Sequence, residues 1–130
     1  MRKTEQRSTI LSNLKSRTDH PSADDVYFDV RKSIPRISLG TVYRNLDKLA
    51  QQGIIQKLEY PGAQKRFDGN PKPHTHFLCV DCGRIEDVPE EAVSVKVNDS
   101  HNWAAQRGFE SISLTIQGLC TQCKAKAEEN

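Results

Sequence analysis

Two pairs of cysteines hold the most specific chemistry in the chain: Cys79 and Cys82, then Cys120 and Cys123. Each pair has the Cys-x-x-Cys spacing, which lets both sulfurs of a tight turn face one ion. Four thiolates suit Zn²⁺ as a closed tetrahedron, and these are all the cysteines in the chain. The pattern therefore predicts a structural zinc site. The 37 residues between the pairs are long enough for a strand, a helix and a second strand.

The same cysteines have two other interpretations, disulfide bonds and a redox-active thiol pair. The start of the chain has no apolar run of the kind found in secretory signal peptides. We therefore expect a cytoplasmic protein, in which thiols stay reduced and paired Cys-x-x-Cys motifs more often bind metal. Structural zinc fits this setting better than either alternative.

A second, chemically different metal site is indicated by His74 and His76, just before the first cysteine pair. Two residues apart on a strand, their side chains would point to the same face. Asp68 and Asp87 supply carboxylates nearby. Imidazoles and carboxylates without a thiolate suit Fe²⁺ or Mn²⁺. A non-haem iron enzyme would use a similar trio of ligands, but the sequence offers no obvious cosubstrate pocket.

Charge is divided unevenly along the 130 residues. Residues 1–60 contain 11 Lys and Arg against 7 Asp and Glu (+4), whereas residues 61–130 contain 8 against 10 (−2). A basic half beside an acidic half rich in Cys and His suggests a nucleic-acid module joined to a sensor module. No stretch approaches the ~18 apolar residues of a membrane span, so no membrane partner is expected.

The basic half has the pattern of three helices. Thr4 is placed to cap the first helix, and Ser22 opens the second through a capping box with Asp25. Ser38 caps the third helix, which is expected to run to Gly53. An apolar stripe at helical spacing marks the buried face of this third helix: Leu39, Val42, Leu46 and Leu49.

Two strand-like segments, residues 54–60 and 65–67, follow and flank a turn. Three helices and a hairpin form a winged helix-turn-helix, whose third helix enters the major groove of DNA. We expect Tyr43 and Arg44 to reach bases there. The predicted DNA-binding set is completed by Thr41, Asn45 and Lys48. Phosphate contacts are expected from Arg31, Lys32, Arg36, Lys48 and Lys57. A merely solvated charged face is the alternative, and the combination of caps, register and hairpin favours DNA binding.

These motifs occur in an order that resembles the ferric uptake regulator family of dimeric, metal-dependent bacterial repressors. The matching segments span nearly the whole chain: residues 20–25, 37–46, 74–88 and 118–123. The resemblance implies an α+β fold in three parts. These are a winged-helix DNA-binding domain (residues 1–67), a hinge (68–73) and a small α/β dimerisation domain with the four-cysteine zinc site (74–130). It also implies a homodimer that binds double-stranded operator DNA and is not an enzyme.

The resemblance adds His20 to the second site and implies five ligands for Fe²⁺ or Mn²⁺: His20, Asp68, His74, His76 and Asp87. Within the family the chain looks most like the peroxide-responsive regulators, because iron-sensing members usually have Glu where this chain has Asp68. By resemblance, peroxide would oxidise His20 or His74 and release the protein from DNA, and the manganese form would be largely insensitive. Sensing of iron or manganese availability is the alternative.

The chain departs from the family pattern in two places. It begins near the family's second helix, so the leading helix is largely missing. Thr75 and residues 110–118 lack side chains that many members use for an additional metal site, so no complete third site is expected. In the acidic half we expect a helix over residues 90–107, although valines alternate there as in a strand, and a final strand over 111–117. His101 is expected at the surface, and Trp103 in the core or in a dimer contact.

Overall fold

The structure is a computed structural model that describes residues 3–129, which divide into two compact units between Lys72 and Pro73. This division falls within residues 68–73, whose role as a hinge stays a prediction. The fold is α+β, as the sequence predicted. Across residues 3–129, no helix has the length and apolar composition needed to cross a bilayer.

The N-terminal unit has the element order of a winged helix-turn-helix. Helices α1 (Lys3–Lys15), α2 (Ala23–Val30) and α3 (Leu39–Gln51) precede an antiparallel hairpin, the wing, formed by β1 (Gln56–Leu58) and β2 (Arg66–Asp68). The predicted cap at Thr4 is wrong, because helix α1 already includes Lys3 and Thr4 lies in its first turn.

Helices α2 and α3 begin where their predicted caps place them. Ser22 Oγ accepts a hydrogen bond from the Asp25 amide at 3.2 Å, and the Asp25 carboxylate accepts one from the Ser22 amide at 3.1 Å. This reciprocal pair is the predicted capping box. Ser38 Oγ accepts from the Thr41 amide at 3.1 Å. Beyond the end of α3, Gly53 has a φ of 73°, which glycine adopts at little cost.

The core of the N-terminal unit lies between the three helices and the wing. Its fully buried members include Ile10, Leu14, Val26, Val42, Leu46, Leu49 and Phe67. The predicted stripe of α3 is buried except at Leu39, which is 39% exposed at the start of the helix. Because Phe67 belongs to β2, burial of its ring fixes the wing against α3.

The C-terminal unit is built on a three-stranded sheet in the order β4-β3-β5. Strand β3 (His76–Cys79) lies at the centre, antiparallel to β4 (Ile85–Asp87) and parallel to β5 (Thr115–Gly118). A short helix, α4 (Asn102–Ala105), lies between β4 and β5 in the chain, so the predicted strand, helix and strand occur in that order. A last helix, α5 (Thr121–Glu128), was not predicted.

The predicted helix over residues 90–107 is wrong for most of its length. Only a 3₁₀ turn at Glu90–Ala92 and the four residues of α4 are helical. Alternating β-branched valines at positions 93, 95 and 97 disfavour helix, which explains the irregular backbone between them. His101 caps α4, since its Nδ1 accepts from the Trp103 amide at 3.1 Å. The final strand starts at Thr115, four residues later than predicted.

Candidate metal sites and nucleic-acid interface

The four cysteines converge in the C-terminal unit. Cys79 ends β3, and Cys82 follows in the turn to β4. Cys120 directly precedes α5, and Cys123 lies in the first turn of that helix. Their sulfurs all lie within 4.8 Å of one another, and Cys82 Sγ is 3.8 Å from Cys120 Sγ. A tetrahedron with Zn–S bonds of about 2.3 Å has sulfurs about 3.8 Å apart. The cluster therefore fits a structural zinc ion, as predicted.

Backbone amides near the cluster stabilise the thiolate form of one cysteine, which is the form that binds a cation. The Cys120 and Cys82 amides lie 3.4 Å and 3.5 Å from Cys79 Sγ and lower the pKa of that thiol to about 6. Hydrogen bonding with Cys120 and burial raise the pKa of Cys123. Gly83, with a φ of 78°, lets the chain turn back so that its amide donates to the Cys79 carbonyl at 3.0 Å. The Cys79 thiol is thus the most readily ionised of the four. The other thiols are expected to lose their protons when a bound cation neutralises the negative charge of the thiolates.

The N-terminal unit contributes a buried histidine–carboxylate pair. His20 Nε2 lies 3.3 Å from Asp68 Oδ2, and the two side chains are 3% and 9% exposed. Asp68 Oδ1 accepts from the Asn70 amide at 2.9 Å, so Oδ2 is the oxygen turned toward the imidazole. Two of the predicted ligands are therefore neighbours in this unit.

The C-terminal unit places the other three predicted ligands together. His74 Nε2 and His76 Nε2 lie 2.9 Å and 3.5 Å from the same oxygen, Asp87 Oδ1. Strand β3 starts at His76, so His74 precedes the strand instead of lying on it as predicted. The two rings are nevertheless adjacent, with centroids 4.3 Å apart. Two imidazoles and a carboxylate, without sulfur, form the donor set that suits Fe²⁺ or Mn²⁺.

The predicted DNA-binding face lies on α3, where Arg44 and Lys48 are exposed. Tyr43 is half-buried, with its ring edge-on to Phe67 at a centroid distance of 6.3 Å. Asn45 is also partly engaged, because its Nδ2 donates to the Thr41 carbonyl at 2.8 Å. Arg44 and Lys48 are thus the most available members of the predicted set.

An open cleft of about 600 Å³ between α1 and α3 adds two cations to this face. Lys3 and Arg7 of α1 line it together with Arg44 and Lys48. The sequence reveals the charges of Lys3 and Arg7, but only the packing of α1 on α3 assigns them to this face. Lys57, expected at a phosphate, is instead paired with the carboxylates of Asp47 and Glu59.

Comparisons with known proteins give matches that span both units of the chain. The profile of the Ferric uptake regulator family matches residues 1–118. The peroxide-responsive repressor PerR of Staphylococcus aureus is 33% identical over 129 residues, which cover 97% of this chain and 84% of the relative. The crystal structure of the Campylobacter jejuni peroxide stress regulator has a TM-score of 0.73 at 28% identity, covering 93% and 90% of the two chains. The Francisella tularensis ferric uptake regulator, solved with iron, has a TM-score of 0.74 at 26% identity, covering 95% of each chain.

Proposed function

We propose a function for this chain, which belongs to the ferric uptake regulator family. It is a cytoplasmic, homodimeric repressor whose affinity for operator DNA depends on bound Fe²⁺ or Mn²⁺. The proposal assigns one ion to all five predicted ligands: His20, Asp68, His74, His76 and Asp87. The observation that carries it is the division of nitrogen and oxygen donors between the two units, two in one and three in the other. The three C-terminal ligands alone would leave about half of an octahedral shell open, whereas all five together would leave about one position.

Metal dependence follows from this division of ligands. His20 and Asp68 belong to the unit that contains the predicted recognition helix, so an ion bound to them and to the C-terminal ligands would restrict that unit. Metal and DNA would then favour the same conformation of the dimer. Such coupling is reciprocal, because operator DNA must raise the affinity for metal by the factor by which metal raises the affinity for DNA.

We further propose that the protein responds to peroxide. Support comes from the short carboxylate of Asp68 and from the 33% identity to a peroxide-responsive repressor. A ferrous ion held by these ligands would supply the redox chemistry that splits the O–O bond of hydrogen peroxide. One oxygen atom would enter an adjacent imidazole and the other would leave as water, so hydrogen peroxide is the oxidant. His20 and His74 are the candidates, and oxidation of either would remove a ligand nitrogen and weaken metal-dependent DNA binding.

Sensing of metal availability is the second candidate function. Its structural support is equal to that of peroxide sensing, because the TM-score is 0.74 to a ferric uptake regulator solved with iron and 0.73 to a peroxide stress regulator. In this case the protein would leave DNA when the ion is withdrawn, and peroxide would have no specific effect.

The two functions are separated by one titration followed by mass spectrometry. A duplex is first selected from random DNA with the manganese-loaded, zinc-containing protein, and its binding is measured for the apo, Mn²⁺ and Fe²⁺ forms. Equal affinity of the apo and loaded forms would refute metal dependence. After peroxide treatment, we expect the Fe²⁺ form alone to lose DNA and to gain one oxygen atom on the peptide containing His20 or His74. Loss of DNA only on chelation, without oxidation, would instead establish metal sensing.

A further inference from the structure

We infer that Arg66 is a positioning residue for the metal ligand His20. Its guanidinium, on wing strand β2, holds the backbone that presents the His20 imidazole toward Asp68. This inference rests on the proposed metal-dependent function and deepens it by naming a residue that acts on the ion through another side chain.

The backbone of His20 is unusual. Among residues 3–129 it is the one non-glycine residue with a positive φ, at 51°. Only a few per cent of residues other than glycine adopt this region, because Cβ crowds the neighbouring backbone, although histidine does so more readily than most. Such a conformation persists only where the surroundings enforce it. A buried histidine in this place therefore indicates that the imidazole is needed there and that something holds it.

Two consecutive residues of β2 hold this turn. Arg66 Nε donates to the His20 carbonyl, and Arg66 Nη2 donates to the Asp19 carbonyl at 3.1 Å. The Phe67 amide donates to the Pro21 carbonyl at 2.8 Å. Three successive carbonyls, on both sides of His20 and at His20 itself, are thus fixed by the wing. The guanidinium bonds the His20 and Asp19 carbonyls through two nitrogens held in one plane, whereas the donors of a lysine ammonium radiate from a single nitrogen with no fixed plane.

The same strand carries the partner of the imidazole. Asp68 follows Phe67 in β2, so one strand supplies both the carboxylate that faces His20 and the clamp on the His20 backbone. The same strand also reaches α3, because the Phe67 ring of β2 lies edge-on to the Tyr43 ring of α3 with centroids 6.3 Å apart. Within the N-terminal unit, strand β2 therefore connects the geometry of two ligands to the helix predicted to read DNA.

A double-mutant cycle tests the inference on zinc-containing protein. Mn²⁺ affinity is measured by competition with a chelating dye for the wild type, Arg66→Met, His20→Ala and the double variant. We expect Arg66→Met to raise the Mn²⁺ Kd by about 10–100-fold, the usual effect of removing a group that orients a ligand. The double variant should bind Mn²⁺ no more weakly than His20→Ala alone, because the clamp has nothing left to position.

Additive losses in the double variant, or an unchanged Kd for Arg66→Met, would overturn the inference. If Arg66→Met does not fold, Arg66→Lys, which keeps the charge, takes its place. It should also lose affinity for Mn²⁺, because its ammonium lacks the planar fork that fixes both carbonyls. Arg107→Met is the matched control and should bind Mn²⁺ as the wild type does, because Arg107 is exposed, donates to the Trp103 carbonyl and belongs to neither the predicted ligands nor the predicted DNA contacts. In the metal-free protein, the backbone amide resonance of His20 should shift in Arg66→Lys and not in Arg107→Met. The cycle measures Mn²⁺ binding and not DNA binding. Its outcome therefore tests the role of Arg66 separately from the proposal that DNA binding depends on metal.

Discussion

Lys57 Nζ lies 2.7 Å from Asp47 Oδ1, which joins strand β1 of the wing to helix α3. The two side chains are 21% and 31% exposed, and the Glu59 carboxylate lies 3.6 Å from the same ammonium. Lys57 therefore braces the wing against the predicted recognition helix. A lysine committed to two carboxylates is a poorer phosphate contact than an unpaired one, so Lys65 of the wing is the better candidate for that role.

Removal of this brace should lower stability modestly and in a pH-dependent way. We expect Lys57→Met to reduce the free energy of unfolding by about 0.5 kcal/mol, as for other partly exposed ion pairs. Hydrogen bonding to Asp47 raises the pKa of Lys57 above its ordinary 10.5. A raised pKa in the folded state means that the contribution is complete below that ordinary value and is lost as pH rises through the folded-state pKa. Urea denaturation near pH 8 and near pH 11 should therefore show a difference from wild type that shrinks at high pH.

Lys32→Met is the control for this experiment, since Lys32 is an exposed lysine of the same unit. A difference between Lys57→Met and wild type that stays constant over this pH range would show that lost packing, and not charge, explains the effect.

Zinc binding should release a number of protons that depends on the ionisation of Cys79. Its pKa of about 6 means that this thiol is already ionised near neutral pH and becomes protonated below pH 6. We therefore expect zinc binding to the metal-free protein to release about one more proton near pH 5 than near pH 7. Calorimetry in buffers of different ionisation enthalpy measures this number. A pH-independent number would show that the backbone amides around Cys79 do not stabilise its thiolate.

The N-terminal unit could be predicted well because its signals are local. The Ser22–Asp25 capping box and the Ser38 cap each act within four residues, so the sequence alone places the starts of α2 and α3; Gly53 places the end of α3 to within two residues. The apolar stripe of α3 then identifies its buried face. In the C-terminal unit the valines at 93, 95 and 97 compete with the helix-favouring residues around them, and neither pattern prevails.

The candidate sites show the same distinction between local and long-range information. Cys-x-x-Cys spacing is local, and it predicted the four sulfurs that cluster in the structure. The role of Arg66 was not predictable, because its contact with His20 spans 46 residues and uses backbone carbonyls, which leave no mark on the sequence. Helix α5 also escaped prediction, since only Cys123 of its residues is buried and no apolar stripe reveals it.

Arg44 and Lys48 should affect DNA binding in different ways, although both are exposed on α3. If Arg44 reads a base, Arg44→Ala should cost about 1–3 kcal/mol on the selected operator and little on unrelated DNA. Lys48→Ala should weaken binding to both duplexes and reduce the salt dependence by about one ion, as expected for a phosphate contact. Fluorescence anisotropy over a range of salt concentrations distinguishes the two. An equal loss for Arg44→Ala on both duplexes would assign that arginine to the backbone instead.

Asp68→Glu should reduce peroxide sensitivity while preserving metal-dependent DNA binding. Asp68 Oδ1 is held by the Asn70 amide at 2.9 Å, so the short carboxylate turns one oxygen toward His20. A glutamate is longer by one methylene, so under the proposed function it would reach the ion with both oxygens and occupy a position that peroxide would otherwise use. We expect oxidation of the iron-loaded protein to slow by about tenfold, equivalent to about 1.4 kcal/mol in the activation barrier. Asp68→Asn, which removes the charge, should instead weaken Mn²⁺ binding itself, and oxidation of Asp68→Glu at the wild-type rate would show that the length of this carboxylate does not set the response.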